Sequence, residues 1–221
     1  MTPCQAVILF LRVPEKGRVK TRLSARLDER FVLDLYKAFV KDMLIALQNL
    51  EPIYLFFWPP DKKEELVQWL GREYQYLPQQ RGNLGEKMAA AFEYVFSQGA
   101  DQALVAGTDI PELNRQRIDD ALGSLRKNDA VIGPCHDGGY YLIGFDKAGY
   151  SRDFFSGITW STSQVLEQTL DAMNEKSIQY HLLEELADID TPEEMERLIQ
   201  RLKNGGRVGR QTMGVLNAYD R

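Results

Sequence analysis

The chain has 221 residues, 44% of them hydrophobic and 27% charged, which suits one ordinary globular domain with its own core. Its 27 basic and 32 acidic side chains give a net charge of −5, which argues against coating nucleic acid or an anionic membrane as the main function. Two cysteines and two histidines argue against a disulfide framework and a cysteine–histidine zinc site. Because the apolar runs are too short to span a bilayer and no N-terminal signal is recognisable, we expect a cytoplasmic protein without a membrane span.

Strands and helices alternate along the chain. Residues 6–11 (AVILFL) form a continuous apolar run, which predicts a strand buried on both faces of a parallel sheet. After a basic loop, apolar positions spaced three and four residues apart predict a long helix from Asp28. The same reasoning predicts strands at 53–57, 74–77, 102–107, 130–133, 140–145 and 178–182, and helices at 61–71, 84–98, 114–127, 161–174 and from 191.

This order predicts one α/β domain over residues 1–203, with a mostly parallel sheet and helices on both faces. The glycine-rich residues 204–221 are predicted to be an irregular C-terminal tail. Sheets of this kind bind ligands at the carboxyl ends of their strands. That rule selects the loops that follow Leu11, Gly107 and Gly133.

The first of these loops is basic. Residues 12–30 carry seven basic and three acidic side chains, a local charge of +4 in an acidic protein. Gly17 lets the backbone bend, and the surrounding cations can hold a di- or triphosphate through charge-assisted hydrogen bonds. The segment is not a P-loop, because Val19 stands where that motif requires glycine before Lys20. The alternative is a solvated basic surface loop.

Three aspartates follow predicted strands or precede the last predicted helix. Asp109 comes directly after the strand at 102–107 and could bind a divalent cation, although it could equally cap the next turn. Asp188 and Asp190 are two residues apart, so in an extended segment they share one face. Together with Asp109 they could hold Mg²⁺ or Mn²⁺. The alternative is that they only prepare the helix that Thr191 caps.

Two further segments could contact an acceptor. In 133–141, the adjacent Gly138 and Gly139 could offer backbone N–H groups to a sugar hydroxyl, although their spacing alone favours a tight turn between strands. Trp160 could close over a ligand. The reading favoured without other evidence is that Trp160 packs in the core and Ser161 caps a helix.

Taken together, these segments resemble a known family. ILFLRVPEKGRVKTRL (8–23), LGEKM (84–88), TDIPEL (108–113), DAVIGPCHDGGYYLIG (129–144), WST (160–162) and DIDTPEE (188–194) follow one another in the expected order. They are similar to a bacterial family of unknown function that is grouped with glycosyltransferases of the GT-A fold. That family is related to 2-phospho-L-lactate guanylyltransferases and, more remotely, to molybdenum-cofactor guanylyltransferases.

The resemblance covers about residues 5–200 and implies a Rossmann-like, three-layer α/β/α sandwich of the nucleotide-diphospho-sugar transferase type. It implies that the loop 12–22 meets the nucleotide phosphates, and that Asp109 lies near a divalent metal with Asp188 and Asp190. The chain departs from the family pattern at Arg12, where lysine is usual, and at Lys87, where arginine is usual. Arginine and lysine are not equivalent at a bidentate phosphate contact.

The hypothesis is therefore a metal-dependent transferase acting on a nucleotide sugar or a nucleoside triphosphate and a small-molecule acceptor, without nucleic acid. Glycosyl transfer comes first; nucleotidyl transfer and non-catalytic nucleotide binding are the alternatives. Catalytic roles are predicted for Asp109, Lys20 and Arg22, with metal ligation by Asp109, Asp188 and Asp190. The predicted phosphate-binding set is Leu11, Arg12, Gly17, Arg18, Lys20, Thr21, Arg22, Gly85 and Lys87. The predicted acceptor-binding set is Asp137, Gly138, Gly139, Tyr140 and Trp160.

Overall fold

The fold is known from a computed structural model, which describes residues 3–50 and 52–219. Its centre is a seven-stranded sheet in the order β3-β2-β1-β4-β6-β5-β7. β6 runs antiparallel to both of its neighbours, and the other pairings are parallel. The strands are β1 Gln5–Arg12, β2 Ile53–Trp58, β3 Gln75–Pro78, β4 Gln102–Gly107, β5 Ala130–Pro134, β6 Tyr140–Asp146 and β7 Tyr180–Leu182. The predicted three-layer sandwich with a mostly parallel sheet is confirmed.

Helices cover both faces of the sheet. They are α1 Thr21–Ser24, α2 Glu29–Ala46, α3 Lys63–Leu70, α4 Leu84–Ser97, α5 Arg115–Ser124, α6 Val165–Glu175, α7 Pro192–Lys203 and α8 Arg210–Tyr219, with a 3-10 turn at Arg152–Phe155. The predicted start at Ser161 is wrong: Ser161 has a left-handed φ of 65°, and α6 begins at Val165. The helix predicted from residue 61 begins later, because Lys62 occupies the cap position and α3 starts at Lys63.

Caps encoded in the local sequence fix three helix starts. The Asp28 carboxylate accepts from two backbone N–H groups at the start of α2. Asn83 with Glu86, and Thr191 with Glu194, form reciprocal capping boxes at α4 and α7. Each arrangement satisfies N–H groups that have no partner within the helix. The helices α4 and α7, whose first residues lie beside the site described below, therefore both begin at well-defined caps.

The core has two layers because β1 is buried on both faces. Val7 and Leu9 pack with α2 and α5 on one side, whereas Ala6 and Ile8 face α4 on the other. On the α4 side, Phe92 meets Phe145 edge to face with ring centroids 5.1 Å apart. Burial of this apolar surface is the main term that stabilises the fold. The close packing makes the central strands a rigid support for the loops at their ends.

The C-terminal segment contradicts the expectation of an irregular tail. Residues 210–219 form α8, which packs on α2, with Leu216 buried and Tyr219 stacked on Phe31 at a centroid distance of 3.9 Å. The helix start is capped from a distance: the Asp42 carboxylate accepts from the backbone N–H of Gln211 and Thr212 at 2.9 and 2.8 Å. A cap that lies 170 residues away leaves no local signal.

The domain boundary at residue 203 stays a prediction. Among the described residues, no helix is both long and apolar enough to cross a membrane.

Candidate active site

Two adjoining cavities open at the carboxyl ends of β1 and β4. The first has a volume of about 370 Å³ and the second about 500 Å³. Arg22, Leu84, Asp109 and Asp190 line both, so the cavities share a wall. This is the edge at which open α/β sheets bind ligands. We name them the basic cavity and the acidic cavity after their charged side chains.

The basic cavity gathers the cations of the N-terminal loop. Its basic lining residues are Arg12, Arg18, Lys20, Arg22 and Lys87. Tyr36 orders the first of them: its hydroxyl donates to the Arg12 carbonyl and accepts from the Arg12 N–H, both at 2.9 Å. Arg18 is 79% exposed at its side chain and pairs with Glu15 at 3.2 Å, so only an exposed ion pair holds it in place.

Lys20 lines the basic cavity and contacts the wall that the two cavities share. Its Nζ contacts Asp109 Oδ1 and Asp190 Oδ1, each at 2.7 Å, and its side chain is only 4% exposed. Burial alone would lower the pKa of Lys20, but the two carboxylates outweigh burial and raise the pKa. Lys20 is therefore a permanently charged bridge between two distant segments.

The backbone around Lys20 explains this position. Lys20 has left-handed φ and ψ of 49° and 48°, an uncommon conformation for a non-glycine residue. The neighbours Val19 and Leu23 are buried in the core, at 3% and 0% exposure. These apolar anchors hold the turn against the sheet and direct the lysine into the cleft. The valine that breaks the P-loop pattern is thus a packing residue.

The segment that carries Asp188 and Asp190 is joined to the loop after β4. The N–H of Ile189 donates to the Asp109 carbonyl at 3.1 Å, and the Ile189 side chain is fully buried. Because alternate side chains point to opposite faces of an extended segment, both aspartates face the acidic cavity. Burial first, and then the negative charges of Asp137, Asp190 and Glu194, raise the pKa of Asp188 to about 6.

The acidic cavity combines carboxylates, aromatic rings and hydroxyl groups. Its lining residues include Asp137, Gly139, Tyr140, Trp160, Ser161, Thr162 and Asp188. Tyr140 and Trp160 meet edge to face with centroids 6.5 Å apart. Arg22 is the one basic side chain on this lining, within the chain that the structure describes. The favoured reading of Trp160 as purely a core residue is therefore incomplete, because it is half-buried and borders the cavity.

Three predicted glycines do not line the cavities, and two of them support residues that do or segments beside them. Gly138 has φ of 85°, and a Cβ there would lie 2.2 Å from the Ser163 carbonyl oxygen, so it holds the turn against the segment before α6. A Cβ on Gly85 would meet the Trp160 ring at 2.5 Å. Gly17 lies in an exposed turn. None of the three is among the residues that line the two cavities. Gly85 therefore positions Trp160, and its predicted phosphate contact has no support in this geometry.

The remaining predicted positions lie where the sequence suggested. Leu11 and Thr21 line the basic cavity, and Asp137, Gly139 and Tyr140 line the acidic one. The roles of these residues stay predictions.

Sequence reasoning missed residues that line the cavities or support them. Trp58, at the end of β2, lines neither cavity, but the Lys87 ammonium lies 5.7 Å from its ring centroid. Gln79, which lines the basic cavity, donates to the Phe56 carbonyl at 3.1 Å. The buried thiol of Cys135 lines the acidic cavity, and burial, reinforced by nearby carboxylates, raises its pKa. The rule that ligands collect at strand ends selects Trp58 and Cys135, because each lies at or just past the end of a strand.

Comparison with known proteins shows the family. Residues 43–162, more than half of the chain, match the family described as "Uncharacterized protein conserved in bacteria (DUF2064)". The chain belongs to this family. A crystal structure of a proposed nucleotide-diphospho-sugar transferase from Desulfovibrio desulfuricans G20 superposes with a TM-score of 0.93 at 33% identity, covering 99% of this chain and 96% of that one.

More distant relatives are nucleotidyltransferases. A 2-phospho-L-lactate guanylyltransferase from Methanocaldococcus vulcanius is 24% identical over 194 residues, covering 86% of this chain and 82% of that protein. The 4-diphosphocytidyl-2C-methyl-D-erythritol synthase from Anaerococcus prevotii shares the fold, with a TM-score of 0.61 at 12% identity over 91% of this chain and 96% of that one. The predicted family and the transferase class are thus confirmed.

Proposed function

We propose that the protein transfers a glycosyl group from a nucleotide-diphospho-sugar to a small-molecule acceptor, with Mg²⁺ or Mn²⁺ as cofactor. The observation that carries the proposal is the junction of a basic cavity with a carboxylate- and aromatic-lined cavity, with Lys20 and Arg22 at the boundary. Beyond its nucleoside, a donor of this class has two unlike parts, an anionic diphosphate and an uncharged sugar. The two cavities match those two parts in charge and order.

The diphosphate fits the basic cavity. The cations of Arg12, Arg22 and Lys87 can donate charge-assisted hydrogen bonds to its oxygens. When the bond from the sugar to the diphosphate breaks, negative charge grows on the departing phosphate. Lys20 and Arg22, at the boundary, are the groups that can stabilise that charge without reorganising.

The sugar fits the acidic cavity. The carboxylates of Asp137 and Asp188 can accept hydrogen bonds from hydroxyl groups, and the rings of Tyr140 and Trp160 offer apolar faces. A second phosphate would meet these carboxylates with Arg22 as its one basic partner on the lining. This charge pattern favours an uncharged sugar over a phosphorylated acceptor in the acidic cavity.

A divalent cation would be held by the three aspartates that line the acidic cavity. Asp109, Asp188 and Asp190 supply the oxygen ligands that Mg²⁺ and Mn²⁺ prefer. Burial first, and then the neighbouring carboxylates, raise the pKa of Asp188, and a cation beside it would offset both effects. A bound cation would neutralise charge on the diphosphate oxygens. Lys20 already pairs with Asp109 and Asp190, so it balances these two carboxylates without a metal.

Nucleotidyl transfer is the second candidate, favoured by the guanylyltransferase relatives. In that reaction a phosphorylated acceptor attacks a nucleoside triphosphate, and pyrophosphate leaves. The basic cavity would serve both reactions. The two differ in the released product, which makes them separable.

The first test is ligand binding. The purified chain is mixed with UDP-, GDP- and ADP-sugars and with GTP and CTP, each with and without Mn²⁺, and its Tm is measured. A true donor at about 100 times its Kd should stabilise the chain by about 2.7 kcal/mol, and Asp109→Asn should remove the Mn²⁺-dependent part. Asp171→Asn, an exposed carboxylate outside the cavities, is the control. No shift with any nucleotide would refute the proposal.

The second test is the product. Nucleotides that bind are incubated with Mn²⁺ and a broad acceptor pool, and nucleoside diphosphate and pyrophosphate are measured separately. Diphosphate from a nucleotide sugar supports glycosyl transfer, whereas pyrophosphate from a triphosphate indicates nucleotidyl transfer. Binding without either product indicates a non-catalytic nucleotide-binding protein. The cytoplasmic location of this reaction stays a prediction.

A further inference from the structure

Three donor side chains converge on one wall of the acidic cavity. The Cys135 thiol and one carboxylate oxygen each from Asp137 and Asp188 all lie within 4.8 Å of one another. They come from two segments, the turn after β5 and the strand-like stretch before α7. The sequence hypothesis used Asp188 for metal ligation and Asp137 for the acceptor, and gave Cys135 no role.

Backbone hydrogen bonds hold these two segments together. Cys135 pairs with Leu186 as an isolated parallel bridge, and the His136 N–H donates to the Leu186 carbonyl at 3.2 Å. The Cys135 N–H donates to the Gly139 carbonyl at 3.0 Å, which closes the turn. The thiol is thereby fixed toward the other segment by main-chain contacts and not by its own side chain.

Cys135 is a buried polar side chain without a partner. The residue is only 6% exposed, and within 3–50 and 52–219 its sulfur makes no hydrogen bond. Cys135 packs at the border of the apolar core and also lines the acidic cavity, where its sulfur lies within 4.8 Å of a carboxylate oxygen of Asp137 and one of Asp188. The two carboxylates repel the negative charge that the sulfur would carry as a thiolate, unless a cation lies between the three groups.

The two carboxylates also lack a cationic partner. In the described part of the chain, neither Asp137 nor Asp188 forms a salt bridge, whereas Asp109 and Asp190 pair with Lys20 at 2.7 Å. One Asp137 oxygen accepts from the Gly139 N–H at 2.9 Å, which orients the carboxylate. The acidic side chains of the cleft thus divide into a pair balanced by lysine and a pair that adjoins a thiol.

We propose that Cys135, Asp137 and Asp188 form a divalent-metal site with mixed sulfur and oxygen donors, selective for a borderline cation such as Zn²⁺ or Co²⁺ over Mg²⁺. Sulfur ligands select softer cations, whereas Mg²⁺ takes oxygen ligands. On binding, the Cys135 thiol loses its proton to solvent and the sulfur lone pair is donated to the metal. The site adjoins Asp109 and Asp190 without requiring either, and it does not depend on any transfer reaction.

The test uses Co²⁺ alone, because a thiolate bound to Co²⁺ gives a charge-transfer absorption band in the near ultraviolet. The reduced full-length chain is titrated with Co²⁺ at about pH 8, without nucleotide. We expect the band to saturate at one equivalent, and we expect excess Mg²⁺ not to displace it. Absence of the band in the unmodified chain overturns the proposal, whatever the variants do.

Two matched variants identify the sulfur. Cys135→Ser should abolish the band, whereas Cys4→Ser, which changes the exposed cysteine, should leave it unchanged. A band that survives Cys135→Ser overturns the assignment. If Cys135→Ser does not fold, loss of the band in Cys4→Ser would still overturn it.

The carboxylates are tested by affinity. Asp137→Asn should weaken Co²⁺ binding at least about tenfold, and Asp109→Asn should leave the band in place. An unchanged affinity in Asp137→Asn, or loss of the band in Asp109→Asn, would contradict the proposed ligand set. Since no nucleotide is present, failure here is independent of the transferase proposal, which the product assay decides.

Discussion

The basic and acidic cavities are built at the same edge of the sheet, yet they are assembled in different ways. The cations of the basic cavity come mainly from one stretch of eleven residues, 12–22. The carboxylates of the acidic cavity come from three loops, after β4, after β5 and before α7. A basic loop can be recognised as one segment, whereas the acidic cavity exists only when distant segments meet. Lys20 belongs to the first and holds two carboxylates of the second.

The largest effect on the rate is expected from removing Lys20, which connects the basic loop to two carboxylates of the acidic cavity. Lys20→Met should lower kcat/KM by about a hundredfold to a thousandfold, because it deletes a preorganised cation beside the departing phosphate. It also removes the ammonium group that pairs with both Asp109 and Asp190. The measurement is nucleoside diphosphate release under substrate-limiting conditions.

The control is Lys16→Met in the same loop. Lys16 is 58% exposed and contacts Glu29 at 3.7 Å, so its removal should leave the rate nearly unchanged. Equal losses in both variants would mean that overall loop charge matters, and not the bridging position.

A variant of Arg22 tests whether the two cavities bind one donor, because Arg22 is the basic residue that lines both of them. Arg22→Ala should raise the donor KM about tenfold to a hundredfold, the value of one charge-assisted hydrogen bond of about 1.5–3 kcal/mol. The comparison variant is Arg26→Ala, which removes a 72% exposed arginine paired with Glu193. Steady-state kinetics with saturating acceptor measure the effect, and a KM equal to that of Arg26→Ala would remove Arg22 from the site.

The acidic cavity should make the stability of the folded chain depend on pH through Asp188. The pKa of Asp188 is about 6 in the folded chain and about 4 when unfolded, so its ionised form is penalised by folding. That penalty is fully present above pH 6 and disappears as pH falls toward 4. Asp188→Asn should therefore stabilise the metal-free chain at pH 7.5. We discount the effect to about 1 kcal/mol because the side chain is half-buried, which corresponds to about 2–4 °C in Tm.

The matching measurement is Tm as a function of pH with a chelator present. The gain from Asp188→Asn should shrink between pH 6 and pH 4, and Asp171→Asn should show no such trend. A gain that does not depend on pH would mean that Asp188 has an ordinary pKa.

The smallest effect is expected at Arg18. It lines the basic cavity, but it is 79% exposed and pairs with Glu15. Arg18→Ala should therefore change the donor KM by about threefold or less, as expected for one exposed ion pair worth about 0–1 kcal/mol. A tenfold increase, measured in the same assay as Arg22→Ala, would show that Arg18 closes onto the phosphates.

The amino-acid sequence by itself determined the strands, most helix starts and the edge of the sheet that carries the site. These features follow from short-range physics: apolar runs such as 6–11 form buried strands, and Asn83 or Thr191 caps the helix that follows it. The strand-end rule selected Asp109, whereas the meeting of Asp109 with Asp190, which precedes α7, was implied by the family resemblance. The family resemblance supported the same edge.

Tertiary structure alone decided how these groups are connected. Lys20 lies between Asp109 and Asp190, Gly85 packs beneath Trp160, and Asp42 caps α8 from 170 residues away. Cys135 faces Asp137 and Asp188 only because the turn after β5 pairs with Leu186. Each is a contact between residues far apart in the chain, with a geometry set by packing of the whole core. Local propensity carries no information about such contacts.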